Sequence, residues 1–219
     1  MESVLIAGAT GYLGKFVAQE FKNRQYFTRI IARDIEKFKK KNIPMDELMK
    51  AEVTQPETLQ NCCRDIDIVF SSIGITKQKD GLRYMDVDYQ ANLNLLEEAK
   101  KSGVKKFIYV SVLHGAQMTN LKICAAKEKF VGALEKSGLD YCIIRPTGYF
   151  SDMEEFFTMA QKGRVFLIGN GTHRMNPIHG EDLAKVCVDT ARNNDKEIPV
   201  GGPAIWRSEE RRVGKECRS

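Results

Sequence analysis

The chain has 219 residues with a net charge of +5 and 42% apolar residues, enough for one domain with a substantial buried core. Its basic residues are spread along the sequence, which argues against a nucleic-acid partner, because such proteins concentrate basic charge on one face. No apolar run approaches the roughly 18 residues of a membrane span, and a strand starting at Ser3 leaves no room for a leader peptide, so a cytoplasmic protein is expected.

Ser3 to Ala7 is a short apolar run that ends in a glycine-rich turn, and Gly14 to Asn23 then follows helical spacing. Thr28 to Ala32 reads as a second strand, after which Asp34 is placed to cap a short helix through Lys40. Glu52 and Val53 are expected to end a weak third strand, and Thr54-Gln-Pro-Glu57 fits a capping box before a helix to Cys63. Asp67 to Ser72 is a fourth strand, Asp88 to Ser102 a long helix and Lys106 to Val112 a fifth strand. A helix from about Ile123 to Ser137 precedes a sixth strand, Tyr141 to Arg145. Beyond it the pattern loosens: Phe150 to Gln161 looks helical, Val165 to Ile168 a short strand, and Glu181 to Asn193 a helix. Strands that are continuous apolar runs, alternating with helices, predict an α/β fold with a doubly wound parallel sheet covered on both faces.

Six cysteines, Cys62, Cys63, Cys124, Cys142, Cys187 and Cys217, form no metal-binding pattern, so no metal is expected. Cys142 and Cys187 lie in apolar stretches and read as buried hydrophobes, which fits a reducing compartment. From Arg207 onward the character changes: Arg207 to Ser219 has one apolar residue, Val213, besides Cys217, and no periodicity. This segment resembles the translation of a sequencing adapter and is expected to be a non-native tail, with the domain covering 1–206 and the natural sequence truncated at its C-terminal side.

The motif with the clearest chemistry is Gly8-Ala-Thr-Gly11-Tyr-Leu-Gly14, between the first strand and the first helix. Gly8 permits a tight turn, Gly11 lets backbone approach a pyrophosphate, and Gly14 lets helix and strand pack closely. The helix N-terminus then offers free N–H groups and a positive dipole end to the anion. An acid at the end of the second strand would bind the ribose hydroxyl of NAD; Arg33 stands there instead, with Lys37 nearby, and suits the 2′-phosphate of NADP. Asp34 leaves NAD as the less favoured alternative.

Together with this loop, Ala32-Arg33-Asp34, Phe107-Ile-Tyr-Val-Ser111, Lys127, Leu139-Asp-Tyr-Cys-Ile-Ile-Arg-Pro-Thr147, Asn176-Pro-Ile-His179 and Asp182-Leu-Ala resemble the NmrA-like group of atypical short-chain dehydrogenase/reductases over residues 1 to about 205. Within it, Arg145-Pro-Thr-Gly-Tyr-Phe150, Gly169-Asn-Gly171 and Ile198-Pro-Val-Gly-Gly-Pro203 look most like the divinyl chlorophyllide 8-vinyl-reductase branch. The resemblance implies a Rossmann fold, with a partial substrate-side lobe from about residue 146, and NADP-dependent hydride transfer to a small, hydrophobic or planar molecule. It implies that Gly8, Thr10, Gly11, Tyr12, Leu13 and Gly14 hold the pyrophosphate, with Arg33 and Lys37 at the adenosine phosphate and Glu52 and Val53 at the adenine. Ser72, Ile73 and Gly74 would line the ribose, Lys127 grip the nicotinamide ribose, and Pro146 and Thr147 contact the nicotinamide. Ser111 and Lys127 would be the catalytic groups. One departure stands out: standard members carry a tyrosine four residues before the lysine as proton donor, and here that position is Ile123. Related reductases work with the lysine alone, and related regulators bind the dinucleotide without turnover, so a redox sensor is the alternative. His114, His179 and Tyr149 read as structural, as do Met153 and Met159.

Overall fold

A computed structural model describes residues 1–76, 78, 81–153, 158–159, 161–163 and 174–207. Seven parallel strands form the main sheet: β1 (Ser3–Ala7), β2 (Phe27–Ala32), β3 (Glu47–Lys50), β4 (Ile68–Ser71), β5 (Lys106–Val110), β6 (Asp140–Pro146) and, beyond a two-residue strand β7 (Arg174–Met175), β8 (Glu197–Val200). Their spatial order is β3-β2-β1-β4-β5-β6-β8, the expected doubly wound sheet. Strand β7 pairs antiparallel with β9 (Trp206–Arg207) in a separate ribbon.

Each face of the sheet buries its own core. Along β1, Val4 and Ile6 join one apolar cluster and Leu5 and Ala7 the other, all fully buried, because successive side chains of a strand point to opposite faces. The first face is covered by α1 (Tyr12–Asn23) and α5 (Gly180–Asp189), through Val17, Phe21, Leu183 and Val188. The second is covered by α3 (Asn92–Lys101) and α4 (Lys122–Glu135), through Leu95, Phe130 and Leu134. A strand buried on both sides has no polar phase, which is why β1 and β4 read as unbroken apolar runs. The short helix α2 (Ile35–Lys39) starts as expected, with the Asp34 carboxylate accepting from the Lys37 amide at 2.9 Å.

Several elements depart from the sequence expectation. The third strand ends at Lys50, so Glu52 and Val53 lie beyond it, not at its end. No capping box forms at Thr54: the Thr54 hydroxyl donates to the Glu52 carboxylate at 3.1 Å, and only a 3-10 turn, Pro56–Leu59, follows. The helix expected from Asp88 begins earlier, as a π-helix over Met85–Ala91 that runs into α3. Strand β8 was not anticipated, because Glu197-Ile-Pro-Val200 is short and interrupted by proline; as an edge strand it tolerates the missing amide. The expected strand at 165–168, the Gly169-Asn-Gly171 motif and the tail after Arg207 lie outside the described residues, as does part of the helix expected over 150–161, where a 3-10 turn covers Phe150–Met153.

The β1–α1 turn fixes how close the first helix comes to the sheet. A Cβ on Gly14 would stand 2.2 Å from the Gly8 carbonyl oxygen and 2.7 Å from Ala9 Cα, both backbone atoms that cannot step aside. Gly14→Ala should therefore cost about 2–3 kcal/mol and lower Tm by roughly 5–10 °C, measured by thermal unfolding; an unchanged Tm would mean the helix sits farther out.

Candidate dinucleotide-binding and active site

The carboxyl ends of the strands open into two clefts that meet at Gly11, Ser72, Gly74 and Ile75. They lie where the strand order reverses, with β1 between β2 and β4, the usual place for a ligand in a doubly wound sheet. The smaller cleft, about 350 Å³, runs from the glycine loop past the end of β2. The larger, about 860 Å³, lies over the ends of β5 and β6 and the start of α4.

The glycine loop divides its labour. Gly8 has φ +96°, and a Cβ there would meet the Ser72 hydroxyl at 2.7 Å, so glycine is needed for both the turn and the neighbouring strand end. Gly14 is packed under Gly8 and faces neither cleft. A Cβ at Gly11 would meet only the Gly8 carbonyl, at 3.2 Å. The protein therefore does not itself fill the space over Gly11. That residue is the N-cap of α1 and brings no side chain to the free amides, and the first turn holds no acid. An open cradle of amides at a 12-residue helix's positive end fits a pyrophosphate.

Arg33, Lys37, Glu52, Val53 and Ile73 line the smaller cleft with Gly8 and Thr10. Arg33 is exposed and only loosely held, its guanidinium 3.9 Å from Glu52. Asp34, the acid that would serve NAD, has its carboxylate engaged as the cap of α2. A third cation, Lys41, lines the same cleft and donates to the Thr10 carbonyl at 2.7 Å. Sequence reading missed it, although its spacing of four residues from Lys37 was a usable signal.

Tyr12, Leu13, Ser111, Lys127, Pro146 and Thr147 line the larger cleft. Three motifs far apart in sequence converge there. The Thr147 amide donates to the Val200 carbonyl at 2.9 Å, its hydroxyl donates to the Asn176 carbonyl at 2.8 Å, and the Gly202 amide donates to that same carbonyl at 2.9 Å. Lys127 is not a solvated helix charge: its side chain is 14% exposed and its ammonium lies 3.1 Å from the fully buried carboxylate of Asp88. Burial pulls its pKa down, but Tyr109 and Asp88 more than offset this, and the group stands above the ordinary lysine range. Ile123 also lines this cleft, so an isoleucine occupies the sequence position of the usual phenol. Tyr149 does bring a phenol to the cleft, pushed up to about 12 by burial.

Ser111 is differently committed. Its hydroxyl donates to Glu128 at 3.1 Å and accepts from Arg145 at 3.4 Å, beside a two-pronged Arg145–Glu128 ion pair at 2.6 and 3.0 Å. Its proton is therefore spent on holding the end of β5 against α4, and polarising a substrate would require breaking that bond. The two described histidines take local roles: His114 adopts a left-handed backbone and lines the larger cleft, and His179 caps α5. Among the described residues no group of His, Cys, Asp or Glu could hold a metal ion, and no helix is long and apolar enough to cross a membrane.

Fold and site together define an α/β protein that binds a nicotinamide dinucleotide. A family model described as NAD(P)H-binding matches residues 8–194, and the chain belongs to that family. It is 28% identical to divinyl chlorophyllide a 8-vinyl-reductase of Cucumis sativus, over 92% of this chain and 53% of that protein. It is 26% identical to the photosystem II assembly factor Ycf39 of Guillardia theta, over 95% and 67%. The chain thus spans about half the length of the vinyl-reductase it matches. The same fold, at a TM-score of 0.76 and 17% identity, occurs in the triphenylmethane reductase of Citrobacter sp. solved with NADP(H), matching all of this chain and 76% of that one. A nucleoside-diphosphate-sugar epimerase of Staphylococcus aureus gives 0.79 and 19%, over 97% and 75%.

Glu128→Gln should leave Arg145 buried with only the half-exposed Glu197, 2.9 Å away, as an anion. We expect a loss of about 3 kcal/mol in chemical denaturation; a loss below about 1 kcal/mol would show that the pair is not buried in solution.

Proposed function

We propose that the chain is an NADP-dependent oxidoreductase that transfers hydride to a hydrophobic or planar small molecule, with an 8-vinyl reduction like that named for its relatives as the specific form. One observation carries the reading: a buried, charged Lys127 faces the larger cleft where that cleft joins the glycine-loop cleft. NADPH would supply the hydride. Gly8, Thr10, Gly11, Tyr12, Leu13 and the helix amides hold the pyrophosphate, while Gly14 keeps the helix close. Arg33, Lys37 and Lys41 receive the 2′-phosphate, and Glu52 and Val53 flank the adenine. Ser72, Ile73 and Gly74 line the ribose. Lys127 holds the nicotinamide ribose, Pro146 and Thr147 bound the ring, and Ser111 fixes the strand end beside it. Among the described residues, five buried cysteines outside any disulfide fit a reducing compartment, the cytoplasm or its equivalent.

A second reading, a redox sensor that binds NADP(H) without turnover, is favoured by Ile123 in the cleft at the usual donor position. The two separate on Lys127→Ala. The enzyme predicts that this variant still binds NADPH but no longer oxidises it across a panel of planar apolar acceptors that the unaltered protein reduces. Turnover at the unaltered rate would remove Lys127 from the chemistry, and no turnover by the unaltered protein on any acceptor would favour the sensor.

For the cofactor, Arg33→Ala should lower the preference for NADPH over NADH about 10-fold, the worth of one charge-assisted hydrogen bond. Competitive titration reads this, and an unchanged ratio would move the phosphate away from Arg33.

A further inference from the structure

Asp88 is fully buried and part of a π-helix, Met85–Ala91. Single π-helical turns are uncommon and often mark functional sites, because the extra residue re-aims side chains. Here the turn is locked by Asn92, also fully buried. Its amide nitrogen donates to the Asp88 carbonyl at 3.0 Å, and its oxygen accepts from Ser71 at 2.6 Å. The turn is therefore tied to the end of β4 and projects the Asp88 carboxylate beneath the strand-end loop 72–75.

There the carboxylate does two things. Oδ2 accepts from the Ile75 amide at 3.2 Å. Oδ1 stands 3.1 Å from the Lys127 ammonium and, among the described residues, has no partner but that cation. A buried carboxylate with an open lone pair is costly unless a cation stays beside it. Burial accordingly raises the Asp88 carboxyl above the usual carboxylate range, with Lys127 acting against the shift. Around the ammonium, the Tyr109 ring centroid lies 5.5 Å away, and the buried Tyr109 hydroxyl has no hydrogen-bond partner among the described residues. Gly74 completes the arrangement: a Cβ there would stand 2.6 Å from Asp88 Oδ1 and 3.0 Å from Lys127 Nζ, so any side chain would wedge the pair apart. Gly74 also lines both clefts.

We propose that Asp88 is a positioning residue, whose buried carboxylate clamps the Lys127 ammonium beside Gly74 at the junction of the two clefts so that it meets the ribose–nicotinamide half of the dinucleotide. This rests on the dinucleotide-binding reading above. It assigns Asp88 no contact with cofactor or substrate; it acts through Lys127. Without the carboxylate, the cation loses its one ion-pair partner among the described residues and leaves for solvent.

The test is a binding comparison with two probes on the full chain. NADPH would occupy both clefts, whereas adenosine 2′,5′-bisphosphate is short enough for the smaller one alone. Asp88→Asn, which keeps shape and removes charge, should weaken NADPH about 10-fold, the size of a contact-pair coupling, and leave the bisphosphate affinity unchanged. In the Lys127→Gln background the same substitution should have no further effect. The double variant buries no unpaired charge, so if either single variant folds poorly it is compared directly with the unaltered protein, with NADPH again about 10-fold weaker and the bisphosphate unchanged. Equal loss for both probes, or full additivity of the two substitutions, would make Asp88 a merely structural residue and overturn the inference. So would unchanged NADPH affinity in Asp88→Asn. An unaltered protein that takes up neither probe would instead overturn the parent reading, and the inference with it.

Discussion

The constraint on which the two clefts depend is the approach of the first helix to the first strand, where Gly14 lies so near Gly8 that a single added carbon would stand 2.2 Å from the backbone oxygen. That closeness sets the angle at which the uncapped amides of α1 leave the sheet. It also places Gly8 against Ser72, so the ends of β1 and β4 share one surface. Both clefts open from that surface, and every later element is placed relative to it: the cations beyond β2 on one side, Lys127 on the other. A strain-free turn with side chains would hold the helix farther away and close the anion cradle.

Much of this was legible in sequence because it is local. The glycine loop, the Asp34 cap and the apolar runs of β1, β4 and β5 each follow from residues a few positions apart, and the structure reproduces them. What sequence could not give depends on tertiary partners. The Asp88–Lys127 pair joins residues on separate elements through a π-helix that no periodicity announces. The engagement of Ser111 follows from Glu128 and Arg145, one on a helix and one on a strand, meeting behind it. Strand β8 exists because β6 offers it an edge, not because its own four residues prefer extension. The third strand ended early for a similar reason: its register with β2 runs out at Ala32 and Lys50, and Glu52 turns instead into bonds with Thr54 and Thr58.

The larger cleft shows how one family scaffold can serve different ends. Its polar groups include a lysine held by a buried acid, a strand-end serine already bonded, and a tyrosine arriving from the β6 side, while isoleucine faces the cleft from α4. Relatives of this chain include both a named reductase and a named assembly factor.

Calorimetric titration of the folded chain with NADPH addresses the cradle most directly. One-to-one binding is predicted, lost in Gly11→Val, a variant checked for folding by its thermal melt because its Cβ would stand 3.2 Å from the Gly8 carbonyl oxygen. A folded chain that binds neither NADPH nor NADH, or a Gly11→Val variant that binds NADPH undiminished, would contradict the account.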